Sequence, residues 1–172
     1  MSDPMVIAAG QGRLFRGPTG APMAVMIDAA ATGGAYSVIE YSHAAGAAGP
    51  PPHVHEQHEE AFRVLEGELT LDVGERTLTL GAGDYAVVPR GTVHRPYNVS
   101  RAEVRFLFIT SPALDGFFAE MAALNAATDG SPSVEALKEL GARWDCVFVD
   151  LPADRGVTRM ANESAEAAYE VD

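Results

Sequence analysis

Histidines are concentrated in two short stretches of this sequence, and one stretch also carries a glutamate that could act with them. The run HVHEQHEE contains His53, His55 and His58 and ends at Glu60, and His94 follows later in the chain. Side chains two residues apart on an extended strand project to the same face, so His53 and His55 can reach one point. Glu60 from the next strand and His94 from a strand laid across the first would complete three imidazoles and one carboxylate.

This set of donor groups is typical of a transition-metal site. Imidazole and carboxylate together bind Fe, Mn, Ni, Cu, Co or Zn, and open coordination positions are a property of catalytic rather than structural sites. We therefore expect one divalent transition metal, held by His53, His55, Glu60 and His94, and its identity stays open. His58 is expected not to be a ligand, because the loop around it breaks the two-residue period of the strand.

The segment that would position these residues has the pattern of an all-β barrel. Between residues 62 and 110, short β-rich runs are separated by glycine-containing turns at intervals of about 8–12 residues. Residues 69–73 alternate between apolar and polar, as half-buried antiparallel strands do. Three prolines at positions 50–52 exclude a helix and predict a rigid loop before the histidines. The glycines expected at turns are Gly67, Gly74, Gly83 and Gly91.

From residue 111 onward the hydrophobic period changes from about two residues to about 3.6 residues. Ser111 and Pro112 are predicted to be the N-cap and first residue of a helix of about three to four turns. A shorter helix is predicted over 132–140, ending at Gly141, with extended structure after it. The predicted organisation is a single domain over 1–172, with a barrel core over about 23–110, a helical C-terminal extension over about 111–151 and an acidic tail over about 153–172.

Acidic side chains outnumber basic ones, 24 against 12, and give a formal net charge of −12. This charge repels phosphate backbones and anionic membrane surfaces, so we expect neither a nucleic-acid nor a membrane partner. No run approaches the roughly 20 apolar residues that a membrane helix needs. The start MSDPMVIAAG lacks the features of a secretion signal, and Cys146 is the only cysteine. The sequence therefore predicts a cytoplasmic protein without an intrachain disulfide.

The candidate ligands belong to two longer patterns of spaced residues. The first pattern is His53-x-His55-x4-Glu60-x6-Gly67, and the second is Gly83-x5-Pro89-x-Gly91-x2-His94-x3-Asn98. They resemble the two motifs of the cupin superfamily. The segments PPPHVH and GAGDYAVVPRGTVH are similar to sequences of single-domain quercetin 2,3-dioxygenase-like cupins. The first motif departs once, because Ala47 stands where its leading glycine is expected. The resemblance implies a cupin jelly-roll β-barrel with the same four metal ligands.

Apolar side chains near the ligands predict the surroundings of the metal. If Glu60 faces inward, alternation turns Phe62 and Val64 inward too. Phe106 or Phe108 would line the barrel from another strand. Such a pocket favours a small organic ligand, including an aromatic one.

The leading functional hypothesis is a metal-dependent, dioxygenase-like enzyme in which Glu60 is both a metal ligand and a proton acceptor. One alternative is an isomerase, lyase or cyclase that uses the metal as a Lewis acid. Another is a non-catalytic cupin that binds a small ligand, since one fold hosts many functions. A homodimer is expected because the strand over 104–110 is apolar on both faces and few helices are available to cover it.

Overall fold

Two antiparallel β-sheets, of six and five strands, form the framework of the structure, a computed structural model that describes residues 5–16, 21–128 and 132–149. The helices of this part are α1 (Ala29–Thr32), α2 (Asp115–Ala127) and α3 (Val134–Arg143). The strands are, in chain order, β1 (Arg13–Arg16), β2 (Pro22–Ile27), β3 (Ser37–His43), β4 (His53–Val54), β5 (Glu59–Glu66), β6 (Glu68–Val73), β7 (Arg76–Gly81), β8 (Tyr85–Val88), β9 (His94–Tyr97), β10 (Val104–Ser111) and β11 (Val147–Phe148).

The strand order confirms the all-β, jelly-roll architecture expected from the sequence. One sheet has the order β1-β2-β3-β10-β5-β8 and the other has the order β11-β4-β9-β6-β7. Along β3 and β10 every second residue is buried, which is the alternation that produces one core-facing side of a strand. Phe62, Phe106, Leu69 and Leu71, which come from both sheets, are almost completely buried in one shared core. Burial of each such side chain contributes about 1.5–3 kcal/mol to stability.

Glycines shape the loops that join these strands. The sequence predicted turns at Gly67, Gly74, Gly83 and Gly91, and all four have positive φ angles. Gly49 is a fifth example, with a φ of +69°, and a Cβ atom there would overlap the carbonyl oxygen of Pro96. The loop before β4 therefore requires glycine at position 49, two residues after the motif position that Ala47 occupies.

The first C-terminal helix begins later than the sequence suggested. β10 continues through Ser111, which pairs with Glu59 of β5, so Ser111 belongs to the sheet and is not a helix cap. Helix α2 starts at Asp115, and the predicted start at Ser111 and Pro112 was wrong. Ladder pairing with β5 outweighs the local capping preference of the serine. The predicted apolar face is nevertheless present, because Phe117, Phe118 and Met121 are buried.

The second C-terminal helix extends past the glycine that was expected to end it. The Ser133 hydroxyl accepts a hydrogen bond from the Ala136 amide and caps α3. Gly141 lies inside this helix and is buried, and a Cβ atom there would overlap the Cys146 carbonyl oxygen. Its role is therefore close packing of the chain against the helix rather than termination. The acidic tail predicted over about 153–172 lies outside the described residues.

None of the helices in the described part of the chain is long and apolar enough to cross a membrane. The longest of them, α2, has 13 residues, against the roughly 20 that a bilayer core requires.

Candidate metal centre

The structure brings His53, His55, Glu60 and His94 together inside the barrel. One donor atom from each of the four lies within 4.8 Å of the donor atoms of the others, and all four side chains are buried. β4 contributes His53, and β9, its antiparallel neighbour, contributes His94 as the paired residue. His55 follows β4 directly, and Glu60 is the second residue of β5. The cluster therefore joins both sheets.

Backbone carbonyls hold each of the three imidazole rings at its Nδ1 atom. The Nδ1 atom lies 2.9 Å from the Pro51 oxygen in His53, 3.0 Å from the Thr92 oxygen in His94, and 2.6 Å from the Asp145 oxygen in His55. A carbonyl only accepts hydrogen bonds, so each Nδ1 carries the proton and donates it. In the neutral rings, Nε2 is then the atom with a free lone pair. Such carbonyl contacts are the usual way in which proteins orient metal-binding histidines.

The Glu60 carboxylate lies between two of these rings. Its Oε1 atom is 3.4 Å from Nε2 of His55, and its Oε2 atom is 3.1 Å from Nε2 of His94. Burial alone would raise the pKa of Glu60, but these two histidines hold it well below its usual value. Glu60 is therefore ionised at neutral pH despite being buried.

The histidines differ in how the surrounding groups affect their protonation. Burial, together with the neighbouring His94, lowers the pKa of His53 to about 3, which keeps this ring neutral. Burial alone would lower the pKa of His55, but the adjacent Glu60 raises it above its ordinary value. In the absence of a metal, the pair of His55 and Glu60 thus retains a proton readily. Metal binding to such a site releases protons.

These observations fit a divalent transition metal. The four donor groups are nitrogen and oxygen atoms of the kinds that such metals prefer. Nε2 of His55 is buried and, apart from the Glu60 oxygen 3.4 Å away, has no hydrogen-bond partner among the described residues, as expected for an atom that serves as a ligand. His58 lies outside this group of four, and its Nδ1 atom is 2.8 Å from a carboxylate oxygen of Asp145.

An apolar cavity adjoins the ligand cluster. Of the four residues that the sequence proposed for a pocket, Phe62, Phe106 and Phe108 line it. Val64 is buried, but it is not among the lining residues because it lies one inward-facing position further along β5 than Phe62. The described residues that line the cavity are Tyr41, Pro50, His53, His55, Glu60, Phe62, Pro96, Phe106, Phe108, Leu114, Phe117, Phe118, Cys146 and Phe148.

Much of this wall comes from segments that the sequence did not connect with the site. Leu114, Phe117 and Phe118 approach from the start of α2, and Cys146 and Phe148 come from the segment around β11. The apolar periodicity of α2 was visible in the sequence, but periodicity does not say which surface a helix covers. Burial raises the pKa of the Cys146 thiol strongly, so the cysteine is uncharged beside the cavity.

Two further residues near the barrel interior were not singled out by the sequence. Asp145, between α3 and β11, contacts His55 through its backbone and His58 through its side chain. His43, on β3, is completely buried, and its ring lies 4.7 Å from that of Tyr41 and 5.2 Å from that of Phe106. A lone histidine on a strand carries no spacing signal, so sequence patterns could not identify it.

Comparison with known proteins agrees with this fold and cluster. The family model described as "Cupin domain" matches residues 40–110, which include all four residues of the cluster. A quercetin 2,3-dioxygenase from Bacillus subtilis is 39% identical over 94 residues, covering 53% of this chain and 26% of that protein. The matched segments span about half of the first curated relative and about a quarter of the germin-like relatives.

Solved structures share the same architecture. A predicted oxalate decarboxylase from Thermotoga maritima aligns with a TM-score of 0.57 at 20% identity, covering 63% of this chain and 99% of that one. The polyketide cyclase RemF from Streptomyces resistomycificus aligns with a TM-score of 0.53 at 24% identity, covering 64% of this chain and 80% of that one. At these identities the similarity concerns the fold. Together with the domain match, it identifies residues 40–110 as a cupin domain on a cupin-type fold.

Proposed function

We propose that this cupin is a metal-dependent, dioxygenase-like enzyme that acts on a small aromatic substrate. The observation that carries the proposal is the aromatic cavity that opens onto the buried cluster of three histidines and Glu60. The partial similarity to quercetin 2,3-dioxygenase supports the same class of reaction. When bound, a divalent transition metal would supply Lewis acidity toward a substrate oxygen and, if redox-active, a path for electrons to dioxygen.

The composition of the cavity wall favours an uncharged ring over a phosphate or a polycarboxylate. Among the described lining residues none is lysine or arginine, and Glu60 is the only carboxylate. The ring centroids of Phe62 and Phe108 lie 6.3 Å apart with their planes inclined by 29°, and Phe118 meets Phe108 edge-on at 5.5 Å. Such ring arrangements contribute to binding through both area and ring geometry. A flat apolar substrate with one hydroxyl directed toward Glu60 matches this wall.

Glu60 has the position and charge of a general base. Its carboxylate is ionised and its two oxygens face two different imidazoles, so one oxygen can bind a metal while the other accepts a proton from a substrate hydroxyl. The Nδ1 atoms of His53, His55 and His94 are already bonded to carbonyls, and their Nε2 atoms are metal ligands in this proposal, so these rings are not available for that role. The apolar walls exclude water from the proton transfer.

The test compares Glu60→Gln with wild-type protein that has been loaded with metal. Glutamine retains an oxygen donor but loses the charge and the basicity, so we expect a modest fall in metal content. Turnover per bound metal should fall by about 10²-fold or more, as is usual when a general base is lost. Glu59→Gln is the matched control, because Glu59 is the neighbouring carboxylate, is exposed, and pairs with Arg90 on the surface.

Substrates would be sought among hydroxylated aromatic compounds with an oxygen electrode, which separates the proposed reaction from its alternatives. A dioxygenase consumes one O2 for each substrate converted and is inactive without oxygen. Conversion that proceeds equally without oxygen would instead identify an isomerase, lyase or cyclase. Saturable binding without conversion would identify a ligand-binding cupin. An undiminished rate per bound metal in Glu60→Gln would refute the role of Glu60 as a base.

A further inference from the structure

Asp145 lies at a sharp turn between α3 and β11, outside the segment that matches the cupin domain model. Its φ angle is +54°, and it is the only residue other than glycine with a positive φ in the part of the chain that the structure describes. Aspartate tolerates this left-handed conformation better than most residues, but the conformation still has an energetic cost. Its contacts must offset that cost.

Asp145 accepts hydrogen bonds from four consecutive residues, 55–58, at the edge of the ligand cluster. Its backbone carbonyl lies 2.6 Å from Nδ1 of His55, about 90 residues earlier in the sequence. Its carboxylate accepts from the backbone amides of Glu56 at 3.1 Å and Gln57 at 2.7 Å. The same carboxylate is 2.8 Å from Nδ1 of His58.

These residues form the whole connection between His55 and β5, where Glu60 is located. The carbonyl of Asp145 sets the tautomer and the ring plane of His55, while its carboxylate fixes the loop that determines the spacing between His55 and Glu60. His53 and His94 differ in this respect, because each is oriented by a carbonyl only two residues away in its own segment. The position of His55 depends on a distant part of the chain.

We propose that Asp145 is a positioning residue for the metal centre. The segment between α3 and β11 would orient His55 and fix its spacing from Glu60, which the residues of the cupin motifs do not do by themselves. This inference rests on the proposed metal site but not on the proposed reaction. It assigns a function to a turn that no ligand motif includes. Loss of such an outer contact typically weakens metal binding by about 10–100-fold.

The experiment measures Co²⁺ affinity of the metal-depleted full chain by competition with a chelating dye, together with the visible absorption spectrum of the bound ion. Asp145→Gly retains the backbone carbonyl and the left-handed conformation but removes the carboxylate. We expect Co²⁺ affinity to fall about 10–100-fold and the spectrum to change, because the loop holding His55 loses its anchor. Asp145→Asn retains one acceptor oxygen and should restore part of the affinity.

The matched control is Asp28→Gly. Asp28 also accepts a backbone hydrogen bond through its side chain, from the amide of Ala31, and caps α1 away from the cluster. The Asp28→Gly substitution should leave the Co²⁺ affinity and the absorption spectrum unchanged. If Asp145→Gly fails to fold, Asp145→Asn must still show reduced affinity and an altered spectrum.

Wild-type affinity and spectrum in a folded Asp145 variant would overturn the inference and leave the proposed function standing. Failure of the wild-type chain to bind Co²⁺ would overturn both. A long-range ¹⁵N spectrum of the metal-free protein gives an independent measurement of the His55 tautomer. We expect a proton on Nδ1 of His55 in the wild-type chain, and partial loss of that proton in Asp145→Gly, because the loop that holds His55 against the retained carbonyl loses its carboxylate anchor.

Discussion

The burial of His43 leads to a quantitative prediction about stability and pH. This side chain is completely buried, and neither ring nitrogen has a hydrogen-bond partner among the described residues. Burial lowers its pKa from 6.5 to about 4. In the unfolded chain the ring takes up a proton below about pH 6.5. In the folded protein the ring stays neutral until about pH 4. The free energy of unfolding that the neutral ring contributes is therefore present at pH 7 and is lost as the pH falls from about 6.5 to about 4.

The size of the effect follows from the difference between the two pKa values, at about 1.36 kcal/mol for each pH unit. His43 should therefore remove about 3 kcal/mol from the free energy of unfolding between pH 7 and pH 4. In His43→Phe this contribution is absent, and phenylalanine suits a site between Tyr41 and Phe106. The variant should gain about 3 kcal/mol relative to wild type over the same pH range. His53 titrates in both proteins, so its contribution cancels in the comparison.

The assay is urea unfolding of chelator-treated protein at a series of pH values, followed by circular dichroism and by the fluorescence of Trp144, the single tryptophan. His43→Gln is the control, because glutamine is polar but does not titrate. It should lower stability at every pH and flatten the pH dependence as His43→Phe does. Parallel pH profiles for His43→Phe and wild type would refute the reasoning, since they would mean that His43 titrates normally in the folded state.

Three further predictions concern the metal, the loop before β4 and assembly. Protein produced in metal-supplemented medium should contain about one transition-metal ion per chain and lose it in acid, because protons compete for the imidazoles; elemental analysis giving less than about 0.1 equivalent would contradict the site. Gly49→Ala should lower the free energy of unfolding by more than about 2 kcal/mol, because of the positive φ and the overlap with Pro96; an unchanged urea midpoint would contradict this account of the loop. The chain should be a homodimer, with light scattering giving twice the chain mass of 18.1 kDa; a mass near 18 kDa at micromolar concentration would exclude it.

The sequence alone was sufficient to predict the barrel and to bring the four candidate ligands together. His53 and His55 are two residues apart, and Glu60 lies near the start of a strand whose alternation continues through Phe62, so local periodicity determines which way these side chains face. The spacing of glycine, proline and His94 in the second motif carried the resemblance that implied His94 as a ligand. These signals are local because strand periodicity and turn preference act over only a few residues.

Contacts between distant segments were decided by the tertiary structure alone. Pairing of Ser111 with β5 delays the start of α2, and packing against Cys146 keeps Gly141 inside α3. The contact of Asp145 with His55 joins positions about 90 residues apart and depends on the path of every element between them. The sequence periodicity of α2 showed that Phe117 and Phe118 share an apolar face, but not that this face closes the cavity beside the metal ligands. Periodicity specifies the faces of a single element, whereas the surface that a face meets is decided by how all the elements pack together.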